Sequence, residues 1–365
     1  MRIKLETRAE PSQLMGYLSP LLAAALTIVA GFILFSLLGK NPLQAFYTFF
    51  VHPIRDLNGV AELLLKASPL MLIAVGLACG YRANVWNIGA EGQLVLGAIF
   101  AGGVALHFYG SESKLVLPAM VIAGAIGGML WAAIPALLRT RFNTNEILVS
   151  LMLVYVANLL LSWLVNGPWR DPEGFNFPQT KQFTESALYP ALIAGTRLNV
   201  GFLISLAAVA AGYVFLNRSF KGFQMRVGGL ADAAAKYAGF NANAMIWLGL
   251  LLGGGAAGIA GMGEVAGPIG QLLPSVSPGY GFAAIIVAFV GRLHPVGILL
   301  ASLLMSLLYL GGEAAQMGLN LPSAMTGLFQ GMLLFFLLGS DVFINYRIKL
   351  IRPLAAKPQM KEVTA

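Results

Sequence analysis

Apolar runs recur along this chain, separated by short polar or basic connectors, and many approach the ~20 residues that an α-helix needs to cross a bilayer. Ten such stretches are read at 18–39, 60–80, 91–108, 116–138, 146–165, 198–217, 244–262, 279–291, 295–311 and 322–340. The fourth, sixth and tenth have the strongest pattern; the third and eighth are short or interrupted. No ten-residue alternation of apolar and polar positions stands out, which argues against a transmembrane β-barrel. The expected fold is all-α: a polytopic membrane protein of about ten transmembrane helices. Residues 1–17 form a cytoplasmic segment, 18–341 the transmembrane domain and 342–365 a cytoplasmic tail.

Composition agrees. Hydrophobic residues make up 58% of the 365 and charged residues 10%, against roughly a quarter charged in soluble chains. Basic residues of short connectors set orientation. With the N-terminus inside, sixteen of the 23 Lys and Arg fall on the cytoplasmic side, at Arg82, Arg139, Arg141, Arg218, Lys221, Arg226, Lys236, Arg292 and both termini. The net charge of +8 is therefore topological, and nucleic acid is not an expected partner. The first span follows a basic segment but has no small-residue cleavage site, so it reads as a retained helix. The single cysteine, Cys79, excludes an internal disulfide and reads as a buried thiol.

Charge is sparse enough that each membrane-depth acid needs a reason. Glu91 lies in "NVWNIGAEGQLVLGA", between glycines and behind two asparagines. An ionisable group at that depth faces a protein interior or a wet cavity. Gly89, Gly92 and Gly97 weaken a helix, so an unwound backbone is expected from Arg82 to Gly92. A second interruption spans 253–280, where Glu264 follows a glycine-rich helix and Pro268, Pro274 and Pro278 oppose a regular span. Two broken segments, one in each half, point to inverted repeats with a solute site between them; spans 2–5 and 7–10 are the expected repeats. The pairs Gly76/Gly80, Gly124/Gly128, Gly254/Gly258 and Gly327/Gly331 have the spacing of close helix packing.

Several chemistries are excluded. No G-x-x-x-x-G-K-[ST] is present to cradle ATP, and "GMGEVA" at 261–266 lacks the strand that a dinucleotide fingerprint needs. Three scattered histidines and one cysteine give no metal site and no nucleophile. Transport leads over catalysis, with two mechanisms open: an ATP-driven carrier with a separate motor, or an ion-coupled carrier using Glu91, Glu264 and Glu313 as relays.

The longest connectors bear on that choice. The 166–197 loop, rich in Pro, Gly and aromatics, is expected outside as a small cap. Inside, 218–243 contains "GGLADAAAKYAGFNA". Asp232 is placed to cap an alanine-rich turn over Ala233–Ala238, and Gly239 to end it in a left-handed conformation. Such a short helix, framed by basic residues, suits docking into a groove of another protein.

The inner segment R-x-G-G-x-x-D-A-A-A-x-Y-A-G resembles the coupling segment of ABC-importer permeases of the branched-chain amino acid, ribose and nucleoside group. "RANVWNIGAEGQLVLGA", "RFNTNEILVSLMLVYVANLLLSWLVNGPW" and "GYGFAAIIVAFVGRLHPVGILLASLLMSLLYLGG" resemble blocks of its nucleoside and simple-sugar members, in the same order. Family members usually carry Asn-Pro where this chain has Ala231-Asp232; either pair starts a short helix. The resemblance implies a multi-pass permease of the bacterial cell (inner) membrane, partnered by an ABC ATPase subunit, a second permease and an external solute-binding protein or lipoprotein. ATP would bind the partner, and this chain needs no cofactor. Nucleosides are the implied cargo, with simple sugars such as ribose as the alternative. Asn84, Asn87, Glu91, Gln93 and Glu264 are the candidates for the path or its gate, and Arg226, Gly229, Asp232, Ala234, Ala235, Tyr237 and Gly239 for ATPase coupling.

Overall fold

The computed structural model describes residues 2–8, 10 and 12–351. Its helices are α1 (Gln13–Leu37), α2 (Pro42–Phe46), α3 (Leu57–Arg82), α4 (Ala90–His107), α5 (Val116–Phe142), α6 (Glu146–Asn166), α7 (Gly201–Arg218), α8 (Phe220–Leu230), α9 (Asp232–Tyr237), α10 (Ala242–Glu264), α11 (Tyr280–Val290), α12 (Pro295–Leu319) and α13 (Ala324–Asn345). Among the described residues nine helices are long and apolar enough to cross a membrane, and they correspond to nine of the ten expected spans.

The eighth span differs. Only the 11 residues of α11 are helical there, a rise of about 16 Å, or half the apolar thickness of a bilayer. A π-turn over Val265–Ile269 ends α10, and the chain then runs irregularly to Gly279. The stretch still crosses the bundle. It begins at Glu264, which shares a cavity with Lys66 of the first half of α3, and ends at Leu293, whose carbonyl accepts from Arg82 at the last turn of α3.

The described residues up to Gly39 and from Gly331 onward form one compact unit, and Lys40–Gln330 forms another. In the first, strand β1 (Arg2–Thr7) pairs antiparallel with β2 (Tyr346–Ile351), with Glu6 opposite Arg347. Glu6 accepts from Arg347 and Lys349, and that pairing, led by Arg347, holds its carboxyl below the ordinary range. This ribbon is an exception to the all-α reading. Its residues alternate, R-I-K-L-E-T against Y-R-I-K-L-I, the period-2 signal of a strand. The tail from 352 onward lies outside the described residues.

In the second unit α10 is the central helix, packed against α3, α4 and α5. Small residues allow this. A Cβ on Gly258 would strike the Gly124 carbonyl of α5, and one on Gly128 would strike the Gly254 carbonyl of α10. Backbones this close gain dispersion contacts that hold helices together in lipid, where no hydrophobic drive acts between them. Gly76 and Gly80 of α3 likewise meet Gly253 and Gly249 of α10, so α3 and α10, the first helices of the two expected repeats, run antiparallel. The fourth glycine pair departs from expectation: a Cβ added at Gly327 or Gly331 would meet nothing within 4 Å.

Gly258→Leu is therefore expected to cut membrane abundance to about a fifth or less, because the helix interface has no room to relax. Gly327→Leu, with open space around it, should leave abundance unchanged. Quantitative immunoblotting of membranes checks both.

Candidate functional site

Between α3 and α4 the chain leaves the helix at Ala83–Gly89. Gly92, expected to be unwound, lies instead in the first turn of α4, so the break is shorter than the sequence suggests. Backbone polar groups inside a membrane protein must find partners within it, and here side chains supply them. Glu146 accepts from the Trp86 amide at 3.3 Å, Ser150 Oγ from the Ile88 amide at 3.3 Å, and Asn87 Oδ1 from the Gly89 amide at 3.1 Å. Tyr81 donates its hydroxyl to the Asn87 carbonyl, and the Val85 amide returns to the Gly80 carbonyl. Glu146 is buried and also pairs with Arg139, so one carboxylate ties α5, α6 and the break together.

Asn87 and Gln93 satisfy each other. Asn87 Nδ2 donates to Gln93 Oε1 at 2.8 Å and Gln93 Nε2 donates to Asn87 Oδ1 at 3.0 Å, both residues being almost fully buried. Glu91 faces the other broken element. Its Oε2 accepts from the Gly281 amide of α11 at 2.6 Å, with Ser277 and the Gly279 amide adjoining. An anion at a helix N-terminus completes donors that the helix leaves unused and sits favourably on its dipole. Gly281 is required there, since a Cβ would meet the Glu91 backbone. The lone acid of α4 is thus the cap of the half-helix α11. Tyr81, Trp86 and Phe289 stack beside this junction, with ring centroids 5.3–5.7 Å apart.

Asn84 does not join this group. It sits at φ 55°, accepts from Trp86 Nε1 at 2.9 Å, and lines a separate cavity of about 510 Å³ with Arg139, Arg141, Lys236 and Phe240. Glu264 lies at the other end of the bundle, in a cavity of about 320 Å³ that also holds Glu62, Lys66, Arg197, Ser277 and Tyr280. Arg197 makes two bonds of 2.7 Å to Glu62, and Lys66 pairs with Glu313 at 2.8 Å. Glu62, Lys66, Arg197 and Tyr280 are not singled out in the sequence, although Glu and Lys four residues apart inside an apolar run are a legible polar face.

Above this cavity the 166–197 connector is strapped to the second break. The Thr180 and Phe183 amides donate to the Leu272 and Gly270 carbonyls, and the Tyr189 amide donates to the Ala266 carbonyl at 2.7 Å. Burial raises the Tyr189 phenol above its ordinary pKa.

At the opposite end, the 218–243 connector contains α8, a helix that the sequence does not announce, as well as α9. Ser219 caps α8 by accepting from the Gly222 amide at 2.9 Å. Gly229 of α8 lies directly on the Arg82 carbonyl, so this connector touches the start of the break. Arg82 in turn donates to the Leu293 and Leu216 carbonyls, holding the left-handed turn at Arg292 and Leu293 (φ 58° and 52°). Helix α9 starts at Asp232, with Ala231 rather than Asp232 in the cap position; the Asp232 side chain lies outside the described residues. Its end is as expected. Gly239 has φ 76°, its amide donates to the Lys236 carbonyl, and the Phe240 amide donates to the Ala235 carbonyl, the two bonds of a Schellman stop. Ala235 is buried beneath, Arg226 and Ala234 are exposed, and Tyr237 is 98% exposed.

Residues 59–338 match the family model described as the permease component of the branched-chain amino acid transport system. The chain is 33% identical over 358 residues to the glucose ABC transporter permease protein TsgB13 of Haloferax volcanii, covering 95% of this chain and 94% of that one. It is 28% identical over 334 residues to the guanosine ABC transporter permease protein NupP of Bacillus subtilis, covering 90% and 94%. It is 26% identical over 355 residues to the nucleoside ABC transporter permease protein NupB of Lactococcus lactis, covering 95% and 96%. No solved structure matches the chain.

The mutual amide pair gives a direct test of what holds the break. Asn87→Ala and Gln93→Ala should each destabilise by about 2 kcal/mol, since each strands a buried polar partner. The double variant should cost less than the sum of the two. Thermal melts of the purified protein check this, and additive losses would contradict the pairing.

Proposed function

This chain belongs to the permease-component family of the branched-chain amino acid transport system, and on that premise we propose that it is the membrane subunit of an ATP-driven importer for nucleosides. Its homologues are ABC transporter permeases, and ATP hydrolysis in this reading belongs to a separate subunit. The observation that carries the reading is α9. A helix of six residues, stopped by Gly239 and seated on buried Ala235, holds a fully exposed Tyr237 away from the rest of the chain. A large aromatic side chain left in water is explained by a partner that covers it. Leu230, Phe220 and Phe223 are also exposed on the same connector, giving an apolar docking face for the ATPase.

The route from that face inward is short. Gly229 bears on Arg82, Arg82 precedes the break at Ala83–Gly89, and Glu91 just beyond it caps α11. A push on α8 and α9 by the closing ATPase is passed to the two broken elements, whose irregular backbone can shift without unfolding a whole helix. Alternating access follows, with Asn87, Glu91 and Gln93 locking the gate, Asn84 at the inner mouth and Glu264 on the outer path. In this orientation both termini and the 218–243 connector are cytoplasmic and the 166–197 cap faces out, where a solute-binding protein delivers cargo. A second, homologous permease completes the path in the cell membrane. Simple sugars are the second reading of the cargo, favoured by the relative named for glucose at 33% identity.

Tyr237→Glu should lower recovery of the ATPase with the tagged permease by about tenfold, as expected for loss of an aromatic anchor, without changing permease abundance. Gly239→Val, which forces a β-branched residue into the left-handed region, should act the same way. Co-purification followed by mass spectrometry reads both, and full recovery of the ATPase with either variant would remove the docking assignment.

A further inference from the structure

The cavity around Glu264 has the make-up of a recognition site. Glu264 is more than nine-tenths buried and lines the cavity, yet it makes no hydrogen bond or ion pair with the described residues. The two nearby cations do not neutralise it by contact, because each is engaged elsewhere: Arg197 by Glu62 in a two-bond pair, and Lys66 by Glu313. A buried carboxyl without a hydrogen-bond partner is costly, and one that lines a cavity is open to a ligand that supplies the missing bonds.

The chemistry of the wall narrows that ligand. Its charges are paired apart from one carboxylate, so an anion gains no free cation and meets Glu264. A hydroxylated neutral solute fits better. Two neighbouring hydroxyls can donate to the two oxygens of Glu264, while Lys66, an ammonium with donors beyond its one bond to Glu313, lies on the same wall to donate back. Tyr280, packed edge-on to Tyr309 at 5.4 Å, offers a ring against the apolar face of a sugar. The cavity volume of about 320 Å³ lies in the range of small-molecule sites.

We propose that this cavity binds the sugar ring of the transported solute, with Glu264 accepting hydrogen bonds from a pair of adjacent hydroxyls. The assignment rests on the importer reading and adds the chemical feature that the permease itself selects. It also ties binding to the gate: Tyr280 lines the cavity, and the next residue, Gly281, is the one whose amide Glu91 holds. A solute seated on Tyr280 therefore bears directly on the N-terminus of α11.

The test uses the complete complex in lipid nanodiscs, with Ser275→Cys placing one exposed thiol on the cavity wall while the native Cys79 stays buried. Alkylation of residue 275 by N-ethylmaleimide is followed by mass spectrometry of this chain. Millimolar uridine or glucose should slow it by about fivefold, whereas 2′,3′-dideoxyuridine, which lacks the hydroxyl pair, should not. Glu264→Gln should raise the solute concentration that gives half-protection by about tenfold, the loss of one hydrogen-bond acceptor at the site, and Glu264→Asp should keep part of the native affinity. ATP-driven uptake of the same solutes is measured in parallel. Uptake without protection would overturn the site and leave the importer intact. Protection by the dideoxy compound or by sodium chloride alone, or protection unchanged in Glu264→Gln, would overturn the hydroxyl assignment. Absence of ATP-driven uptake by the native complex would count against the importer reading itself.

Discussion

The bond from the Gly281 amide to Glu91 is the contact on which the functional architecture depends. A membrane protein that breaks its helices must supply hydrogen bonds to every freed backbone group, because lipid offers none. This chain does so with its own side chains. The carboxyl that follows the first break caps the half-helix created by the second, so the second interruption depends on the first. Asn87, Gln93, Ser150 and Glu146 complete the first break from within the protein. The result is irregular backbone that is ordered but held by a few side-chain bonds, as the proposed gate requires.

Around that junction the remaining parts fall into line. The glycine surfaces of α3, α5 and α10 build a tight frame that does not yield easily. The break lies against that frame, and the 218–243 connector lies against the break through Gly229 and Arg82. The 218–243 connector is thus linked to the break that precedes Glu91 through backbone contact rather than through a long chain of side chains. From Glu91 the contacts continue to Gly281 and its neighbour Tyr280, which lines the Glu264 cavity. The strap formed by the 166–197 connector fixes the far end of the second break through main-chain bonds to Ala266, Gly270 and Leu272, and Ser277 fixes its near end by accepting from the Gly279 and Tyr280 amides.

Much of this was legible from residues alone. Nine spans were readable because a bilayer demands long apolar helices, and the weak eighth was flagged by its length and prolines. Glu91 was legible as a membrane-depth acid that needs a partner, but the partner, an amide 190 residues away, has no sequence signature. Gly239 as a helix stop was readable because only its left-handed geometry suits that turn. The misses have physical causes too. Helix α8 contains three glycines, and local propensity argues against a helix that packing against Arg82 and Met245 sustains. The strand pair β1 and β2 is closed by residues at opposite ends of the chain, so neither half announces a partner. The gathering of Glu62, Lys66, Arg197 and Glu264 depends on the antiparallel meeting of α3 and α10, which no local pattern reveals.

The proposal that Glu91 carries motion from the 218–243 connector to the Glu264 cavity is tested most directly by Glu91→Gln in the reconstituted complex, reading ATP hydrolysis and solute uptake together. The substitution keeps the shape and removes the charge that caps α11. Hydrolysis should continue while uptake falls by about tenfold or more, the effect of losing one charge-assisted hydrogen bond at the gate, with membrane abundance unchanged within about twofold. Uptake and hydrolysis both at the native level would contradict a role for Glu91 in coupling.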